Sequence, residues 1–199
     1  MENCGAVLVR AGEKLFPRRG VIWGVLGLVL FLFAHPQKVH FLYGLFLMGF
    51  GEALRIWAVG YIKNYRKAME EDVEELTTCG PYAYTRNPLY LANGVIGTGI
   101  VLLSGLWWVV FLFWMAFVVL YGSIVRAEEA FLEKKFGHIY QSYRNEVPRF
   151  LFRLTPYQGK KKPFSWEVVF QKEIITLVTL GVVVLLFYLR GFGFLAFWI

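Results

Sequence analysis

The residues best placed to do chemistry are an adjacent carboxylate pair, Glu128 and Glu129, and an arginine, Arg86, in the run Gly80-Pro81-Tyr82-Ala83-Tyr84-Thr85-Arg86-Asn87-Pro88-Leu89-Tyr90. Glu128 lies four residues before Leu132 and Glu129 three. Leu132 in turn opens an apolar stripe at helical spacing through Phe136, Ile139, Tyr140, Tyr143 and Val147. One carboxylate of the pair therefore points inward, and a buried carboxylate needs a cation or several donors. Arg86 is the available cation. An arginine and free backbone donors at a helix N-terminus also suit an anionic ligand group such as a carboxylate; an arginine snorkelling at an interface is the alternative. These residues predict a polar pocket in which both signs of charge meet.

What positions them is the stretch between. From Leu89 to Val125 there are 37 consecutive residues without a charge, in a chain of 199 residues that is 57% apolar, against roughly 45–50% in soluble domains. A helix rising about 1.5 Å per residue crosses a hydrocarbon core of about 30 Å in roughly 20 residues, so this stretch suits two helices joined at Ser104-Gly105. The hairpin returns Arg86 and the carboxylates to one face of a membrane. Disorder and a soluble core are both excluded by the same composition.

Further apolar stretches complete an all-α, polytopic membrane fold in a single domain spanning 1–199. The expected spans are about 20–36, 40–61, 88–104, 106–125 and 174–198, and an amphipathic helix follows the fourth. A secretory signal peptide is the alternative for the first span, although no small-x-small cleavage site follows it. Segments 1–20, 63–88 and 126–173 carry 4, 4 and 10 Lys/Arg, whereas the opposite side carries Lys38, with Arg190 near the outer end of the last span. This bias predicts a cytoplasmic N-terminus, cytoplasmic loops 63–87 and 126–173, and a cytoplasmic active site. The net charge of +7 is thereby explained by topology, and nucleic acid is not an expected partner. Lys160-Lys161-Lys162 either marks topology only or attracts anionic headgroups. Cys4 and Cys79 fall on the predicted cytoplasmic side without metal-ligand spacing, so neither a disulfide nor a metal site is expected. The acidic run Glu70-Glu71-Asp72-Val73-Glu74-Glu75 reads as a solvated loop.

Two other groups of residues stand out. Glu52 and Arg55 share a face inside the second span, where they can neutralise one another; they are either functional intramembrane groups or a structural pair tying this helix to its neighbours. Gly94, Gly97 and Gly99 thin the third span, for packing or for a flat ligand.

The run from Gly80 to Tyr90, the hairpin, Glu128-Glu129, Phe136-Gly137-His138-Ile139-Tyr140 and Tyr143 through Val147-Pro148-Arg149-Phe150 together resemble the isoprenylcysteine carboxyl methyltransferase and phospholipid methyltransferase superfamily. Gly51-Glu52-Ala53-Leu54-Arg55-Ile56-Trp57-Ala58 is similar to the preceding helix of that family, so the resemblance covers roughly residues 44–150. Each motif is weak alone; their order and spacing are specific. The resemblance implies an integral membrane enzyme that uses S-adenosylmethionine, with Tyr82, Arg86, Asn87, Tyr90, Glu128 and Glu129 around the cofactor and Gly97 and Gly99 as a Gly-x-Gly associated with it. It implies a lipophilic acceptor, either a prenylcysteine-type carboxylate or a phospholipid amine, together with surrounding membrane lipids. Asn87 stands where the family often has His, so no general base is available at that position.

Methyl transfer from a sulfonium needs alignment and water exclusion, and an amine acceptor must also lose a proton. Candidate acid/base or orienting groups are Glu129, His138, Tyr143, Arg144 and Arg149. Of these Glu129 and Arg149 are the expected catalytic pair, Arg149 holding an anionic substrate head, with anchoring to a lipid phosphate as the alternative for Arg149. Strong matching ends near Phe150, which leaves the last helix as an addition that could cover or line a lateral opening. An NADPH-dependent reductase of the sterol reductase type and a non-catalytic lipid-binding protein are the alternatives. The acidic pair favours the sulfonium cofactor over one carrying an extra phosphate.

Overall fold

The computed structural model describes residues 4–62 and 75–193, which are helical without a strand. Of the acidic run only Glu75 is among them. Helix α1 (Cys4–Leu15) passes through a 3-10 turn at Phe16–Arg18 into α2 (Arg19–Leu32). Then follow α3 (Lys38–Val59), α4 (Pro88–Leu103), α5 (Val109–Phe136), α6 (His138–Glu146) and α7 (Trp166–Phe192). Val7–Leu32, α3, α5 and α7 are each long and apolar enough to cross a membrane, and α4 is a shorter apolar helix of 16 residues. The sequence predicts about five apolar helices in an all-α membrane protein, and that is the architecture found. Large apolar side chains on the outside, such as Leu28, Phe46, Val119 and Val178, are exposed, as lipid-facing surfaces require.

Helices α3 and α4 lie so close that a Cβ on Gly44 would stand 2.7 Å from the Gly99 carbonyl oxygen, and one on Gly99 would stand 2.7 Å from the Gly44 carbonyl oxygen. Small residues at such crossings let backbones touch where lipid supplies no hydrophobic drive. The α4–α5 hairpin turns where the sequence places it. Gly105 has φ +79°, a conformation suited to glycine, and an added Cβ would run into the His35 carbonyl oxygen. His35 N–H donates to the Ser104 carbonyl at 2.7 Å, tying this turn to the α2–α3 connection.

Three boundaries depart from the sequence reading. The first helix begins at Cys4 instead of about 20, because the charges Arg10, Glu13 and Lys14 lie along a helix that packs its other face on α5. The amphipathic stripe is split: α5 continues to Phe136, Gly137 breaks the chain at φ +51°, and α6 resumes at His138. Leu132, Phe136, Tyr140, Tyr143 and Val147 pack together across that break, while Ile139 is exposed. Helix α7 begins at Trp166, capped by Ser165, whose hydroxyl accepts from the Val168 N–H at 3.4 Å. Its first turns carry Glu167, Lys172 and Glu173, the charges that argued against a span before 174. The predicted residues 194–198 of that span lie outside the described residues.

Candidate active site

The run Gly80–Ala83 forms a 3-10 turn, and Tyr84 to Asn87 then lead into α4, whose first residue is Pro88. Proline fits there because it has no N–H to leave unpaired. This strip is fastened to the chain after α6 by backbone bonds. Arg86 N–H donates to the Pro148 carbonyl at 2.9 Å, Arg153 N–H to Tyr84 at 3.0 Å and Tyr157 N–H to Ala83 at 2.9 Å. The Thr85 hydroxyl and the Asn87 amide both donate to the Arg149 carbonyl, at 3.2 and 3.1 Å. The Tyr143 hydroxyl donates to the Tyr82 carbonyl at 2.8 Å. The motif segments around 80–90 and 143–157 are thus one wall, and the hairpin brings the end of α5 against it.

Glu129 stands at the centre, 6% exposed. Arg149 Nε donates to its Oε1 at 3.0 Å and Arg149 Nη2 to its Oε2 at 2.5 Å; Arg86 Nη2 lies 3.4 Å from Oε1. A carboxylate buried between two guanidiniums is neutralised as burial demands. Those hydrogen bonds, donated to Glu129, hold Arg149 above the usual guanidinium value. Arg86 is used at one corner only: its Nε and Nη1 are buried and find no hydrogen-bond partner among the described residues. Glu128 takes a different partner, accepting from the Tyr90 hydroxyl at 2.8 Å.

Arg86, Tyr90, Glu128 and Glu129 line a cavity of about 140 Å³, together with Tyr82, Asn87, Asn93, Tyr140 and Tyr143; Arg149 does not line it and reaches it only through its contact with Glu129. Of the residues named from sequence as cofactor-binding, Tyr82, Arg86, Asn87, Tyr90, Glu128 and Glu129 meet there. Gly97 and Gly99 do not. Gly97 faces the Phe113 ring and Gly99 faces Gly44 and Met48, at helix–helix contacts. His138 is exposed, and Arg144 reaches Glu133 on the outer surface at 2.8 Å.

Two features escaped the sequence reading. Tyr140 is 1% exposed, and its hydroxyl, at the cavity wall, has no hydrogen-bond partner among the described residues. Burial first, and then the Glu129 charge, push that hydroxyl above the ordinary tyrosine range, so it remains a neutral donor. The available signal was a hydroxyl on the same stripe as the inward carboxylate. The second is Glu173. Arg55, on the same helix face as Glu52, reaches two other helices: its Nε donates to Glu173 on α7 at 2.7 Å and its Nη1 to Asn93 on α4 at 2.6 Å. Asn93 also lines the cavity, so this buried pair stands directly behind it.

Residues 39–139 match the phospholipid methyltransferase family, and the chain belongs to that family. It is 32% identical over 125 residues to the cobalt-zinc-cadmium resistance protein CzcN of Cupriavidus metallidurans, an alignment covering 60% of this chain and 52% of that protein. With the nickel-cobalt-cadmium resistance protein NccN of Alcaligenes xylosoxydans xylosoxydans it shares 27% over 122 residues, covering 60% and 53%. The chain thus spans about half the length of the curated relatives it matches. No solved structure matches it. Among the described residues no three His, Cys, Asp or Glu side chains converge to hold a metal ion. Family membership and the apolar helices support a multi-pass membrane methyltransferase.

Proposed function

We propose that the protein transfers a methyl group from S-adenosylmethionine to a lipophilic acceptor, a prenylcysteine-type carboxylate or a phospholipid amine, at the cytoplasmic membrane boundary. The observation that carries this reading is Arg86: two buried guanidinium N–H groups without a partner, facing a cavity that also holds carboxylates and tyrosines. The cofactor's amino-acid part bears a carboxylate and an ammonium, and the residues present fit both. Arg86 Nε and Nη1, with the Tyr140 hydroxyl, would receive the carboxylate, and Glu128 the ammonium. Tyr82 and Tyr90 offer aromatic walls. Gly97 and Gly99 would act through helix packing.

S-adenosylmethionine supplies an electrophilic methyl on its sulfonium, so the chain's own work is alignment and exclusion of water. Glu129 fixes Arg86 and Arg149 on either side of itself. Arg149, partly exposed and reaching in over Glu129, would receive an anionic acceptor head. The cavity is smaller than the roughly 300–1,000 Å³ of cofactor and ligand sites, so binding must part its walls. A carboxylate acceptor needs no proton acceptor, whereas an amine acceptor does.

The test is binding first and turnover second. Purified protein should be stabilised against heat by S-adenosylhomocysteine, and labelled S-adenosylmethionine with membrane extract should yield a labelled lipid. Absence of both effects would return the chain to the lipid-binding alternative.

A further inference from the structure

We propose that the segment from Arg149 to Lys162 is seated in the headgroup and upper acyl layer of the leaflet on the cavity side, with Phe150, Leu151, Phe152 and Leu154 inserted among the lipids. This segment has no helix or strand, yet it exposes large apolar side chains in a row. Phe150 is 37% exposed, Leu151 78%, Phe152 49% and Leu154 100%. An aqueous loop carrying such a patch would be costly in water. Arg153, the one charge in the row, is drawn aside, with Nη1 3.6 Å from Glu146 and Nη2 3.5 Å from the Thr155 hydroxyl.

The depth of the segment is fixed by what it is tied to. Its backbone bonds run to Ala83 and Tyr84, and Pro148, just before it, accepts from the Arg86 N–H, all immediately before the first turn of the apolar helix α4. Trp57, near the end of α3 and 38% exposed, lies beside Tyr84 with ring centroids 6.2 Å apart. A tryptophan at the end of a spanning helix marks headgroup level. The apolar row is therefore continuous with the lipid-facing surface of the helices and is not a patch on a distant loop. Its charge agrees: between Val147 and Trp166 there are five basic residues and no acidic one, a composition complementary to anionic headgroups.

Insertion itself does not depend on the proposed methyl transfer. Its consequence for that reaction does: Arg149 begins the segment and holds Glu129, which lines the cavity, so the cavity would sit close to headgroup depth and a lipid acceptor could reach it without leaving the leaflet.

The experiment uses the full chain with Cys4 and Cys79 replaced by serine, and a single cysteine introduced by Leu154→Cys and labelled with an environment-sensitive fluorophore. The protein is reconstituted in vesicles of phosphatidylcholine and phosphatidylglycerol, with nitroxide placed high on the acyl chain. The expected result is blue-shifted emission and loss of most of the signal to the nitroxide lipid. The same label at His138→Cys, on exposed α6, should stay water-like. Water-like, unquenched emission at 154 would overturn the proposal. So would blue-shifted emission that the nitroxide lipid does not quench, since that outcome means a second protein copy covers the row. S-adenosylhomocysteine binding by the labelled protein is measured in parallel, so that failure of the cofactor site is told apart from failure of insertion.

Discussion

Arg55 and Glu173, 118 residues apart, form an ion pair at 2.7 Å in which Glu173 is fully buried and Arg55 nearly so. The pair joins α3 to α7 inside the helical body, and Asn93 of α4 accepts a further bond from the same guanidinium. Removing one partner strands a buried charge, a cost of about 3–5 kcal/mol. Glu173→Ala should therefore lower the melting temperature markedly in detergent. The double replacement Arg55→Met with Glu173→Leu should recover most of that loss, because two apolar side chains need no neutralisation. Thermal unfolding followed by tryptophan fluorescence checks both; equal destabilisation of the single and double variants would show that the pair is not what joins these helices.

Arg86→Ala should weaken S-adenosylhomocysteine binding without unfolding the protein. Hydrogen bonds to a charged group contribute about 1.5–3 kcal/mol, which corresponds to roughly 10- to 100-fold in affinity. Calorimetric titration reads this directly. Wild-type affinity in the variant would remove Arg86, and with it the carboxylate subsite.

Tyr140→Phe tests the second buried donor and should cost less than Arg86→Ala, since a neutral hydroxyl contributes about 0.5–1.5 kcal/mol. Its pH behaviour is also determined. Burial, and then Glu129, raise the folded-state value above the ordinary 10.0, so the unfolded chain ionises first. The stabilisation from keeping this phenol neutral is complete below about pH 10 and is lost as pH rises from there toward the raised value. Affinity for S-adenosylhomocysteine should accordingly show no phenol titration up to about pH 9.

Arg149 and Arg86 both touch Glu129, but they should separate kinetically. Arg149→Ala should raise KM for the acceptor while leaving S-adenosylhomocysteine affinity near that of the wild type. Arg149→Lys should not restore KM, because an ammonium cannot reproduce the two-pronged contact. A drop in cofactor affinity as large as that of Arg86→Ala would assign Arg149 to the cofactor instead. The measurement is a comparison of acceptor KM with calorimetric affinity.

Much of this arrangement is written locally, and some is not. The hairpin was legible because 37 uncharged residues and a Ser-Gly turn are one-dimensional signals. The meeting of Arg86 with Glu129 followed from that hairpin's length. Glu173 was not legible, because a charge near the start of an apolar run reads as the end of a span until a partner on another helix is known. Helix α1 was hidden for a related reason: its charges mask an apolar face whose use depends on α5. The backbone bonds between 83–86 and 148–157 leave no side-chain pattern at all, although they fix the wall of the cavity.

The glycines of α4 provide the last test, because sequence alone left them open to either packing or a ligand. An alanine methyl at Gly99 would lie 2.7 Å from the Gly44 carbonyl oxygen, a backbone atom that cannot step aside. At Gly97 it would meet the Phe113 ring, a side chain with room to turn. Overpacking of this kind costs about 1–3 kcal/mol, so Gly99→Ala should destabilise the protein and Gly97→Ala should do so less. Neither should change S-adenosylhomocysteine affinity in the protein that remains folded, since neither glycine lines the cavity. Melting curves and calorimetry on the same preparations decide it: a fall in affinity without a fall in stability would return the Gly-x-Gly to the cofactor site.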